Sequence, residues 1–198
     1  MAKGSSFERM ICKQFSLWWS GGQRDDIFWR SCQSGGRATE RAKKGKTTFG
    51  SYGDITAVDP IGGPLIKAFT IELKRGRSHG NPWELVDSVK SKVVRPFEKA
   101  LNQAIASHQA AGSVAWMLIC RPDRKVAMIY LPWGIHKLLG STSPFLHPPT
   151  TRFDLRVNRD GSASDRVRFV GMPLDAFLLR ITPAQLLKGL EQPPHFRK

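Results

Sequence analysis

The chain has 198 residues, 40% of them apolar, with six Trp and eleven Phe, which is enough for one hydrophobic core and excludes a disordered chain. Its 31 Lys and Arg against 16 Asp and Glu give a net charge of +15 and a pI near 10.3, a balance that favours a polyanionic partner such as nucleic acid without separating DNA from RNA or from anionic lipid. No apolar run approaches the roughly 20 residues of a membrane span, the first ten residues lack a signal peptide's apolar segment, and three scattered Cys support neither a disulfide framework nor a structural zinc site. No membrane partner is expected, and the expected setting is intracellular and cytoplasmic, with reduced thiols and with Cys12 and Cys120 buried.

Phe7, Met10, Ile11, Phe15 and Trp18 recur at helical spacing and predict an amphipathic helix from Gly4 to about Ser20, ended by "SGG". Glu8 flanks the apolar stripe, and Ser5 with Glu8 also matches a capping box. "DIFWRSC" (26–32) reads as a short strand leading into a Gly-rich loop, where Arg37, Arg41, Lys43, Lys44 and Lys46 are set against Glu40 alone. Runs at 54–59 and about 65–74 read as two strands of one β-hairpin turned by "PIGGP". Asn81, Pro82 and Glu84 start a helix that Pro96 breaks, and a second helix, "FEKALNQAIASHQAAG", runs to Gly112.

"SVAWMLIC" and "KVAMIYLP" are apolar strands around "RPDRK", the first continuous enough to be central in a sheet. After a short helix, "WGIHKLLG", the Pro-, Ser- and Thr-rich "STSPFLHPPT" marks a surface connection. It separates a core, 1–140, from a basic extension, 141–198, expected on or beside that core as a hairpin and one or two short helices. The order of elements predicts an α/β fold, a mixed sheet with helices on its faces.

The hairpin concentrates charge. A turn at Gly62 and Gly63 sets Asp54 opposite residue 70 to 72, facing Glu72 directly at the upper end of that range, and the two-residue period puts Lys74 on the same face as Glu72. Asp59 falls at the turn end, roughly 16 Å from Asp54 at about 3.3 Å per residue. Two adjacent carboxylates repel, and a proton or a divalent cation relieves the repulsion. Oxygen ligands of this kind suit Mg²⁺, with the Leu73 carbonyl as a further ligand, and bound Mg²⁺ suits a phosphate substrate. Lys74 would orient a water or stabilise developing negative charge. The same residues also fit a solvated strand end, since Glu-x-Lys is a common tripeptide.

Asp, a hairpin, then Glu-x-Lys resembles the PD-(D/E)XK nuclease superfamily, with Gly53 and Asp54 in place of its Pro-Asp and "ELK" (72–74) as its (D/E)XK. Within it, "KGSSFER", "RSCQSGG", "GDITAV" and "IELK", in that order, resemble archaeal-type Holliday junction resolvases over about residues 3–76. The resemblance implies a restriction-endonuclease-like mixed β-sheet flanked by helices, with the tail as a hairpin-and-helix extension. It implies a metal-dependent endodeoxyribonuclease that hydrolyses DNA backbone phosphodiesters with Mg²⁺, for which Mn²⁺ can substitute.

Carried over by position, the resemblance makes Glu8 an acid near the metal, Asp54 and Glu72 its principal ligands, and Lys74 the catalytic lysine; Arg30 and Ser34 fall close to the scissile phosphate. Gln103 lies where the superfamily often carries a Gln or Lys near the site, the alternative being an exposed helix-surface residue. The loop residues Arg37, Arg41, Lys43, Lys44 and Lys46, with Arg75 and Arg77, are the expected phosphate contacts. The expected partner is DNA, branched or duplex, and a homodimer follows if a four-way junction is cut symmetrically. The longer basic loop, the segment 75–96 and the tail depart from those compact resolvases and leave the preferred DNA structure open. Two other readings remain: a non-catalytic nucleic-acid-binding protein on the same fold, and cleavage of RNA. The five His lack metal-ligand spacing, and "GKT" at 45–47 lacks the first glycine of a P-loop, so zinc-dependent and P-loop chemistry are disfavoured.

Overall fold

Helix α1 (Lys3–Trp19) buries Phe7, Ile11 and Phe15 on one face, as their spacing predicts. In the computed structural model, residues 3–31, 52–76, 82–86, 94–140, 149–159 and 162–191 are described. Strand β1 (Phe28–Arg30) follows and pairs antiparallel with β2 (Ile55–Ala57) as a two-stranded ribbon.

The second sheet has five strands, β3 (Phe69–Arg75), β4 (Ala115–Arg121), β5 (Met128–Pro132), β6 (Thr151–Arg159) and β7 (Ser162–Pro173), in the order β3-β4-β5-β7-β6. β3 and β4 are parallel and the other pairs antiparallel, so the sheet is mixed. With helices on both faces, the architecture is α/β and restriction-endonuclease-like.

Alternation along the strands makes two cores. Phe69, Ile71 and Leu73 of β3, with Met117 and Ile119 of β4, share one core with the apolar face of α1. Leu118, Cys120, Tyr130 and Phe169 share the other with Phe97, Ala100, Leu101 and Ala104. The last four belong to a helix at Pro96–Ala111 that starts with proline and stops at Gly112 in the left-handed conformation. Parallel strands cannot be joined by a tight turn, and this helix supplies the β3-to-β4 crossover. Before it lies a short helical turn at Trp83–Val86.

Three sequence expectations are corrected. The predicted hairpin of 54–59 with 65–74 does not form: β2 pairs with β1, "PIG" is a 3-10 turn, and Gly63–Ala68 is a helix. Its proline residues open helical turns, the Asp59 carboxylate accepts from Ile61 N–H, and Gly62 lies so close to Phe28 that a Cβ there would come within 2.7 Å of the ring. Secondly, α1 starts at Lys3, two residues ahead of Ser5, so Ser5 and Glu8 form no capping box. Thirdly, the strand expected over 26–32 is confined to Phe28–Arg30.

The basic hairpin of the tail supplies two of the five strands, β7 pairing with β5 from Met128 to Pro132. Helices at Trp133–Gly140, Leu174–Arg180 and Pro183–Glu191 pack on the α1 side, where Leu139, Phe177 and Leu186 join its core. Among the described residues no helix is long and apolar enough to cross a membrane. Cys12 and Cys120 are both buried, free thiols.

Candidate active site

Asp54 is fixed by its own backbone. Its N–H donates to the Ile71 carbonyl at 2.8 Å and its carbonyl accepts from Ser31 N–H at 2.9 Å, so the residue is pinned between β1 and the outer edge of β3. Gly53 permits that approach. It has φ +79°, and a Cβ there would stand 2.7 Å from the Ile71 carbonyl oxygen.

The Asp54 carboxylate then accepts from Leu73 N–H at 2.7 Å, along the edge that β4 leaves open. In an extended strand the N–H and C=O of one residue point to the same side, so the Leu73 carbonyl shares that edge with Asp54. Asp54 thus comes to Glu72 without a hairpin, through contact with β3.

Glu72 is 2% exposed, and its Oε1 accepts from Lys74 Nζ and Gln103 Nε2, each at 2.5 Å. The Asp54 and Glu72 carboxyls are close enough to act on each other's ionisation. Burial first and the Asp54 charge second push the Glu72 carboxyl up to about 7, against the opposing effect of Lys74. Burial also raises Asp54, against the Leu73 N–H and Lys74. Near neutral pH the pair therefore favours sharing a proton over carrying two charges.

A divalent cation relieves the same repulsion, and the donors present are hard oxygens: two carboxylates and a backbone carbonyl. Among the described residues no group of three or more Asp, Glu, His or Cys side chains forms a metal cluster. Hard oxygens are the donors that Mg²⁺ takes, in company with retained waters, whereas zinc sites are built mainly on nitrogen and sulfur.

Glu8 and Arg30 stand beside the pair. Arg30 Nε donates to Glu8 Oε2 at 2.7 Å, with side chains 30% and 17% exposed. The Glu8 charge acts on Asp54 and on nearby Cys12, whose thiol burial pushes up to about 12, leaving it without nucleophilic thiolate at neutral pH.

The structure therefore brings together Asp54, Glu72, Leu73 and Lys74, with Glu8 and Arg30 adjacent. Arg75 ends β3 and donates to Ser6 Oγ at 3.1 Å. Ser34, Arg37, Arg41, Lys43, Lys44, Lys46 and Arg77 lie outside the described residues. Asp59 lies apart, as expected, holding Arg24 at 2.7 Å. Gln103 is exposed on its helix, as one sequence reading had it, and still donates to Glu72, a contact that helix spacing alone does not reveal.

A half-buried Asp54 set against a buried Glu72, with a lysine two residues beyond that Glu on the edge strand of a mixed α/β sheet, defines a site of the PD-(D/E)XK nuclease class. A family model described as "Phage putative PDDEXK endonuclease" matches residues 1–188, and the chain belongs to that family. Membership implies a nucleic-acid substrate. No curated protein matches the chain, and no solved structure does.

Proposed function

We propose that the protein is a Mg²⁺-dependent endonuclease that hydrolyses DNA backbone phosphodiesters by in-line attack of water, with Mn²⁺ able to substitute. The observation that carries this reading is the buried Glu72, with half-buried Asp54 beside it and Lys74 at its Oε1. Asp54, Glu72 and the Leu73 carbonyl would hold the cation, with Glu8 as a nearby acid. When bound, the cation supplies Lewis-acid polarisation of a phosphoryl oxygen and a more acidic water.

The chain's own groups do the positioning. Leu73 N–H fixes one carboxylate, and Lys74 with Gln103 fixes the other. Lys74 Nζ would also orient the attacking water or stabilise charge developing on the phosphate. Arg30, presented by Glu8, would meet the phosphate oxygens.

Selectivity for branched DNA, and a homodimer making two symmetric cuts, belong to the same proposal; the order of motifs over residues 3–76 supports them. The test is cleavage of end-labelled four-way junction, flap and linear duplex DNA, with a matched RNA duplex, in Mg²⁺, Mn²⁺ or chelator. Metal-dependent cutting of DNA, with paired nicks in the junction, is expected. Folded protein that cuts none of these would overturn the reading.

A further inference from the structure

The far edge of the sheet carries a second charged surface. Phe153, Val157 and Phe169 of β6 and β7 are buried on the crossover-helix side. On the opposite face stand Arg152, Asp154, Arg156, Arg166 and Arg168, all exposed, four cations against one anion.

The register opposes Arg156 directly to Arg166, a like-charge pair that weakens a strand pairing unless an anion joins it. Asp154 holds Arg166 through two contacts, at 2.6 and 2.9 Å, and lies 3.6 Å from Arg168. The Arg152 guanidinium sits 4.4 Å from the centre of the Trp133 ring. Three of the four cations are thus held in place. Edge strands often carry charge to block pairing with another chain, and β7 is bonded to β5 only from Phe169 onward, but such a block needs no fixed arrangement of cations, whereas three of these four are held in place.

The hairpin is also tied to the helix that serves the active site. Glu98 Oε1 accepts from Asn158 N–H at 3.0 Å, and Asn102 Nδ2 donates to the Asn158 carbonyl at 2.7 Å. Gln103, the next residue, holds Glu72.

We propose that the arginine face of the β6–β7 hairpin is a second nucleic-acid-binding surface, taking backbone phosphates of a duplex DNA substrate. It rests on the nuclease reading for the identity of that substrate. The surface lies three to four strand spacings from the catalytic edge, roughly 14 to 19 Å across the sheet. A guanidinium has five donors, so Arg166 keeps three for phosphate beyond the two given to Asp154. Such contacts add affinity through counterion release, independent of sequence.

The test is equilibrium binding of the full chain to a 30-base-pair duplex in chelator, from 50 to 300 mM salt. The triple variant Arg156→Gln, Arg166→Gln, Arg168→Gln is expected to shallow the slope of log affinity against log salt by about 0.9 per lost contact, nearly three in total. The matching lysine variant is expected to keep most of the slope. Arg156→Gln alone, an exposed change, should lose about one contact and guards against misfolding of the triple variant. An unchanged slope in folded variants, or equal slopes for the Gln and Lys sets, would overturn the inference. Because binding is read without metal, absence of cleavage would sink the nuclease reading and leave this result interpretable.

Discussion

The two edges of the five-stranded sheet treat charge in opposite ways. At β3, Glu72 is sealed from water and each neighbour of its carboxylate is a fixed donor or a second acid. At β6 and β7 the arginines stand in solvent, where salt screens their pairs and each contributes little to folding. A buried charge that loses its partner costs several kcal/mol, so the first edge is intolerant of change and suited to chemistry. The second edge is tolerant and suited to summed, interchangeable contacts.

The contrast breaks most visibly at the acids. Asp54→Asn and Glu72→Gln are each expected to reduce single-turnover cleavage by on the order of 10³-fold or more, while binding in chelator persists. Full activity in either variant would place the metal site elsewhere.

Next in size is Gly53→Ala. The new Cβ meets the Ile71 carbonyl oxygen at 2.7 Å, and the residue must still adopt φ +79°. The conformation alone costs about 1–2 kcal/mol, and relieving the contact displaces Asp54. A lower urea midpoint together with reduced cleavage is expected. Gly53→Pro, the residue the superfamily motif carries, should be worse, because proline cannot leave φ near −65°. A neutral Gly53→Pro would show that this backbone geometry is wrong.

The smallest effect is on pH. Both carboxyls are raised in the folded state, so the native protein holds protons that the unfolded chain releases. Their contribution to stability is complete below the ordinary carboxyl range and is lost as pH rises through about 7, the Glu72 value. In chelator the melting temperature should fall between pH 5 and pH 8, and Glu72→Gln should flatten that fall. Mg²⁺ at pH 8 should restore stability to the unsubstituted protein, since only the folded site offers both carboxylates. A flat profile in chelator would mean that the pair is not buried in solution.

Long periodic segments were legible in the sequence: α1, the crossover helix from Pro96 to Gly112, the continuous strand β4 and the tail hairpin all lie where spacing puts them. The segment between Asp54 and Phe69 was not. Six helical residues, Gly63 to Ala68, are too few to show a period of 3.6, and the true partner of β2 lies across the 31–54 interval on β1. Asp54 and Glu72 were still correctly brought together, because the Asp54 N–H bond to Ile71 nearly reproduces the register of the expected hairpin. Gln103 stayed ambiguous, since helical spacing alone does not reveal that Glu72 lies beneath it. That Gly53 stands against β3 was not legible, because nothing beside "GD" marks the strand it approaches.

The insertion of β7 between β5 and β6 bears on where the chain can be shortened. Ending it at residue 148 would strip the outer partner from Ile129, Tyr130 and Leu131 and, by removing Phe169, uncover the rings of Phe97 and Tyr130. The fresh edge would be flat, apolar and ready to recruit another chain, so a truncated protein would aggregate before any loss of DNA affinity could be read. The cations on the tail can be exchanged one at a time, but the strands that display them cannot be removed.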